Sequence, residues 1–248
     1  MRAIRFLFLG FFAIFLAPLA IHAAWWFATD RADAWQKSDW SSADVLPAAR
    51  SKPEAIVHVY AGRVGRWRGV FAHHSWIVVK ERGARNYTRF DKTGWGKPVK
   101  INNWDADARW YGHPPILIAA IEGKEAEALI PRVRAAVANY PYNDQGDYSL
   151  WPGPNSNSFV AYVLSAIPEM RAGLLPTAIG KDWRVDGRFF GGTPSGTGVQ
   201  LSLGGLFGVT VGWVEGFEIN VLGLVAGIDV RRPALKLPGF GRIGVPTA

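Results

Sequence analysis

The chain contains no cysteine. That excludes disulfides, thiolate nucleophiles and cysteine-ligated metals together. Any nucleophile is therefore Ser, Thr, Lys, Asp or Glu. Histidine is scarce, with five positions, and charged residues make up only 19%. His73 and His74 are neighbours on an expected strand, so they point to opposite faces and do not grip one ion. No metal and no cofactor is expected. The glycines of "FFGGTPSGTG" lack a lysine at phosphate-loop spacing. Tandem repeats are absent, and the tryptophans do not alternate with Lys/Arg as a base-stacking surface would, which argues against nucleic acid. What is present is an apolar majority: 49% hydrophobic residues and 12 tryptophans in 248 positions. That suffices for one sizeable core.

The net charge is +8. The N-terminus places that charge in context. Arg2 and Arg5 precede an apolar run from Phe6 to Phe27, interrupted only by His22. A secretory signal carries a shorter apolar stretch of roughly 7–15 residues and a small-x-small cleavage site. The stretch Ala20-Ile21-His22-Ala23-Ala24 fits that site poorly. A membrane-spanning helix needs about 20 apolar residues, and Trp25 and Trp26 fall where interfacial aromatics belong. The reading is an uncleaved anchor, with a cleaved signal as the alternative. The arginines stay cytoplasmic, so the body lies on the periplasmic side of the inner membrane, where a basic surface suits anionic lipid headgroups.

Four segments are expected: an anchor over 1–27, a linker over 28–52, a core over 53–170, and a Gly-rich loop with a β-hairpin extension over 171–248. The core reads as α+β. Alternation predicts strands at 55–63, 70–80, 86–91, 97–104 and 114–123, joined by short connections in an antiparallel meander. The second of these is apolar on both faces, as a central strand would be. Residues 124–140 carry apolar positions at helical spacing, with Pro131 expected to kink them or begin a second segment. A helix is expected from Ser156 to Ile167. Two apolar runs in 199–230 read as one hairpin with a greasy face, followed by a Pro/Gly-punctuated tail.

"WPGPNSNSFV" (151–160) is the stretch that bears on chemistry. Its polar run can simply cap a helix, since Ser and Asn are favoured there. Capping needs one residue of the four. Ser156 shares a face with Phe159, Val160 and Val163, so it points inward at a helix N-terminus. There, free N–H groups and the positive dipole end favour developing negative charge. Asn155, Asn157 and His73 are the candidates for oxyanion or substrate contacts. A serine needs a base, and only one of His73 and His74 can meet it. Lys181-Asp182 reads as a solvated loop pair or as a charge pair reaching the site. Arg231, Arg232 and the cluster Arg63, Arg66, Arg68 read as solvated charge or as contacts for lipid phosphates.

"NSNSF" (155–159) resembles the nucleophile motif of circularly permuted papain-like proteins of the NlpC and lecithin:retinol acyltransferase type, with Ser156 at the cysteine position. "HSW" (74–76) resembles their histidine strand. That resemblance, over about residues 55–170, implies a permuted papain-like core, His74 as base, and a third, orienting residue on the following strand. Asp91 is the best chemical match, with Asn86 the alternative. The exported portion also resembles an uncharacterised bacterial membrane-protein family with a domain of unknown function, through "TAIGKD" (177–182), "PSGTGVQLSL" (194–203) and "EGFEINVLGL" (215–224). Two functions are expected. One is a membrane-anchored hydrolase or acyltransferase cleaving an amide or ester of cell-wall peptide or lipid through Ser156 and His74. The other is a catalytically inactive module that binds an envelope peptide or lipid, or scaffolds a membrane complex. Only the first requires Ser156 Oγ and a His74 ring nitrogen to meet in an accessible pocket, within about 3.5 Å or a rotamer change of it; a wide gap or a plugged site favours the second.

Overall fold

The computed structural model describes residues 2–29 and 34–245. Residues 30–33 of the expected linker and 246–248 of the tail lie outside the described residues. The N-terminal helix comprises α1 (Arg2–Phe11), a π turn (Phe12–Leu16) and α2 (Ala17–Ala28). Its stretch Ile4–Ala28 is long and apolar enough to cross a membrane. Among its described side chains one stripe is buried: Phe15, Pro18, His22 and Trp26. These recur at three- and four-residue spacing, so they lie on one side. Trp26 donates from Nε1 to the Arg66 carbonyl at 3.0 Å. Its ring lies so close to Gly69 that a Cβ there would stand 2.0 Å from it. The His22 ring meets the edge of Phe240 at 5.0 Å.

A five-stranded antiparallel sheet follows, made of β1 (Ile56–Arg63), β2 (His73–Lys80), β3 (Thr88–Lys92), β4 (Val99–Ile101) and β5 (Ile116–Glu122). Its order is β4-β3-β2-β1-β5. α3 (Lys124–Ala138) and α4 (Ser156–Ala166) cover one face. There Val57, Val59, Ile77, Val79 and Phe90 meet Leu129, Val133, Phe159 and Val163. On the other face Ile56, Tyr60, Trp76 and Val78 pack beneath Leu46 and Ala106. Every residue of β2 is buried, because it is a central strand covered on both sides. α3 runs unbroken through Pro131. No second segment begins there. Pro131 and Glu127 both face outward, so the carbonyl that loses its partner is left to solvent.

The region read as a linker is packed onto the body. Trp35 lies 3.7 Å from Trp40 and 5.7 Å from Trp110, ring to ring. Ser42 pairs with Ala108 in an isolated bridge, and Asp107 accepts from the Ser42 hydroxyl and the Val45 and Leu46 amides.

The C-terminal region corrects the sequence reading. In place of one hairpin and a tail there is a seven-stranded antiparallel meander of consecutive strands. The strands are β6 (Phe190–Gly192), β7 (Gly198–Leu203), β8 (Phe207–Gly212), β9 (Gly216–Val221), β10 (Leu224–Asp229), β11 (Ala234–Leu237) and β12 (Gly241–Gly244). Tight turns permit so many short strands. Gly216 has φ +71°, and a Cβ there would sit 2.2 Å from the Ile228 carbonyl.

Lys181 and Asp182 are not a solvated pair. Lys181 bonds Asp182 at 2.8 Å and Glu218 of β9 at 2.6 Å, and Lys236 of β11 bonds the other oxygen of Glu218 at 2.5 Å. The cluster is buried and ties the loop to the second sheet.

Candidate active site

Asn155 caps α4, accepting the Asn157 and Ser158 amides through Oδ1 at 2.9 and 3.2 Å. Ser158 Oγ returns the favour to the Asn155 amide at 2.8 Å, which completes a capping box. Asn155 Nδ2 donates to the Leu150 and Ile179 carbonyls. Asn157 Nδ2 donates to the carbonyls of His73, at 2.9 Å, and Ile179, at 2.8 Å. His73 holds Thr177 Oγ1 at 2.8 Å through Nδ1. These three residues bind the start of α4 to the start of β2 and to the 177–179 segment. Their donors are committed to the fold.

His74 differs. Its Nε2 contacts Asp91 Oδ1 at 2.8 Å, with Asp91 fully buried. Asp91 stands on β3 beside Arg89, which grips it twice, Nε to Oδ2 at 2.7 Å and NH2 to Oδ1 at 2.9 Å. Arg89 also donates to the Asp105 carbonyl and lies 4.0 Å over the Trp76 ring. The His74 imidazole is stacked flat on Trp110, 3.8 Å between centroids and 6° between planes. With Nε2 held by the carboxylate, the tautomer is set and Nδ1 is the nitrogen left for a substrate or nucleophile. Nδ1 makes no hydrogen bond among the described residues.

Burial pushes the His74 ring below its ordinary value, and the Asp91 hydrogen bond recovers only part of the shift. Burial disfavours the Asp91 charge, yet Arg89 and His74 outweigh it and hold that carboxyl below its usual value. The pair is thus a neutral imidazole on an ionised carboxylate. Burial drives His73 further down still.

Strand parity sets His74 on the face of Trp76 and Val78, opposite the residues that meet the helices. His73 lies on the helix side. Both nonetheless line one cavity of about 730 Å³, together with Asn155, Ser156 and Asn157. Two successive strand residues share a cavity only where it curls round the end of the strand, and α4 begins at that end. The cavity thus brings Ser156 and His74 to one space, with Asp91 behind the imidazole. Asn86, the other candidate for the orienting residue, precedes β3 and is exposed. Arg68 lines the cavity, while Arg231 and Arg232 border a separate one.

Tyr148 is a residue beside Ser156 that the sequence did not single out. Its phenol lies against the side chain and backbone amide of Ser156, and burial pushes its pKa up to about 12 despite the opposing pull of Arg68. It is a protonated donor at neutral pH. Nothing periodic marks it in its loop. Arg89 lies on the strand the sequence offered for the orienting residue, and its two-residue offset from Asp91 places both on one face; the structure makes it the partner of Asp91. Among the described residues no cluster of His, Asp or Glu fits a metal ion.

Residues 54–183 match DUF3750, described as a protein of unknown function. The chain belongs to that family. The DUF3750 region is just over half of the chain and takes in the first sheet, both core helices, Ser156, His74, Asp91, Tyr148 and the "TAIGKD" segment. It stops short of "PSGTGVQLSL" and "EGFEINVLGL", which form part of the second sheet. No curated protein and no solved structure matches the chain.

Proposed function

We propose that the protein is a membrane-anchored serine acyl hydrolase or acyltransferase with a permuted papain-like core. The observation that carries this reading is the His74 imidazole, clamped through Nε2 by an ionised buried carboxylate, with Nδ1 unbonded in the cavity lined by Ser156. Ser156 Oγ attacks an acyl carbonyl, and His74 Nδ1 takes its proton. The oxyanion is held by the Ser156 N–H at the positive end of α4 and by the Tyr148 O–H. The tetrahedral species collapses as His74 returns the proton to the leaving oxygen or nitrogen. Water or an acceptor alcohol or amine then resolves the acyl-serine by the same proton route.

The cavity walls support a lipid-like acyl group over a cell-wall peptide. Leu19 of the N-terminal helix, Trp67, Phe71, Trp151, Leu222 and Leu224 all line it. The helix acts as a retained anchor rather than a cleaved signal, since its Phe15, His22 and Trp26 are buried against the body. A catalytically silent lipid-binding module is the competing reading, favoured by the Tyr148 phenol that lies on Ser156.

The test is covalent. A long-chain fluorophosphonate incubated with the full-length protein in detergent micelles is expected to phosphonylate Ser156, located by peptide mass spectrometry. An unmodified Ser156 under conditions that label a control serine hydrolase sinks the enzyme reading.

The pH dependence follows from the shift at His74. The base works only when neutral, and its pKa lies below the ordinary 6.5. The neutral form therefore persists as pH falls through 6.5, and the acid limb of the labelling rate is expected below that value. Rates of phosphonylation between pH 5 and 8 check this. An acid limb above 6.5 contradicts a buried, desolvated base.

A further inference from the structure

The seven-stranded sheet is patterned inside out. A sheet with one wet face ordinarily turns its polar residues to solvent. Here Gln200, Ser202, Thr210, Glu218, Asn220 and Lys236 are buried against the body, while the other face is apolar and exposed. Register aligns that face into rows. Val199, Val211, Phe217, Ile228, Leu235 and Ile243 stand side by side across six strands, and each is about half exposed. Phe190, Leu201, Val209, Ile219 and Ala226 form a second row. Leu203, Phe207, Val221 and Leu224 form a third. At ordinary strand spacings the rows cover roughly 24 Å by 14 Å. A patch of that size on a soluble protein marks an interaction surface.

The rows run into the N-terminal helix. Ala226 is buried where β10 meets the Phe12–Leu16 turn. Leu224 shares a cavity wall with Leu19. The body grips the helix from Phe15 to Trp26, which leaves Arg2–Ile14 projecting beyond it. At 1.5 Å per residue that projection is about 20 Å, against a hydrocarbon core of about 30 Å. The free part of the helix is too short to span. The missing ~10 Å must come from the stretch that lies beside the body. There the helix exposes Leu16, Ile21, Trp25 and Phe27 on the side away from its packed stripe.

We infer that the outward face of the seven-stranded sheet is bedded in the acyl chains of the leaflet from which the helix emerges, so that the body is partly immersed in the bilayer. The occupant of the face is lipid. Helix and sheet together make one lipid-facing surface, and a depth of about 10 Å is of the order reached by other interfacial elements. Arg188 and Arg231 are exposed, one just before β6 and the other in the β10–β11 turn, so their long stems reach headgroup phosphates from the rim. The inference stands without the serine chemistry.

The cysteine-free chain allows a direct test. Single cysteines replace Val199, Val211 and Ile228 in one row, with Asn86→Cys and Glu125→Cys as exposed controls, all in the full-length protein. Each is labelled with bimane and reconstituted into phosphatidylethanolamine/phosphatidylglycerol vesicles. Brominated acyl chains are expected to quench the row labels at least twofold and leave the controls unchanged. Aqueous iodide is expected to do the reverse. Iodide quenching of the row equal to that of the controls overturns the inference. So does a row shielded from both quenchers whose cysteines crosslink two copies through a bismaleimide, because the occupant is then a second copy.

Discussion

Ser156→Ala protein is expected to fold normally and to be chemically inert. The Oγ accepts no capping hydrogen bond, because Asn155 and Ser158 supply the box that starts α4. Its removal leaves a space smaller than a methyl group beside a cavity that is already open. The substitution also takes the hydroxyl away from the Tyr148 phenol, so the thermal midpoint in micelles is expected to fall by a few degrees at most, the scale of about 1 kcal/mol for one hydrogen bond lost beside an open cavity. Phosphonylation and turnover of long-chain p-nitrophenyl esters are expected to fall by roughly 10³-fold or more, the scale on which nucleophile deletions act. Ester turnover that survives the substitution assigns the chemistry to another group. Ser156→Cys adds a positive signal. In a chain without other cysteines, iodoacetamide reports on one thiol, which the helix N-terminus and His74 should activate.

Asp91→Ala is expected to be costly twice over. The carboxylate fixes the His74 ring and also neutralises Arg89, both fully enclosed. Deleting it strands a buried guanidinium, a loss of about 3–5 kcal/mol. For a chain of this size that corresponds to a fall of roughly 10 °C in the midpoint. Near-UV circular dichroism in micelles reads the change. Asp91→Asn separates the two roles. It keeps the shape and a hydrogen bond to Arg89 while removing the charge that favours a protonated His74. A smaller midpoint drop with labelling slowed by roughly 10³-fold is expected, as when an orienting carboxylate becomes an amide in a serine triad. If Asp91→Ala melts with the wild type, the buried pair does not carry the fold.

Much of the first sheet was legible because its strands alternate cleanly and end at Gly- and Pro-containing turns. The β2 stretch declared itself central by being apolar on both faces, and the structure buries all of it. α4 was legible from Phe159, Val160 and Val163. The second sheet was under-read for a physical reason. Gly208, Gly212 and Gly227 interrupt its polar rows, so Val-x-Leu-x-Leu and Phe-x-Val-x-Val looked like continuous grease rather than one face of short strands. The packing of 35–52 was hidden because its anchors, Trp35, Trp40 and the loops that bond Asp107, are aperiodic. At the site, residue type and spacing pointed to Ser156 and to one of His73 and His74; the resemblance to permuted papain-like proteins singled out His74 and implied an orienting residue on the next strand, for which Asp91 was the best chemical match. No local pattern could show that Tyr148 returns to Ser156, because the seven residues between them form a loop.

The buried Lys181–Glu218–Lys236 chain has a mechanical consequence. Lys181 belongs to the same segment as Ile179, whose carbonyl receives amide protons from both Asn155 and Asn157. The ionic links therefore run from the second sheet, through residues 179–181 of the loop, to the first turn of α4. Breaking any of them inside the protein exposes an uncompensated charge, so the assembly moves as a unit. A tilt imposed on the sheet by its surroundings is transmitted to the turn that carries the serine, as a lever passes motion across its fulcrum.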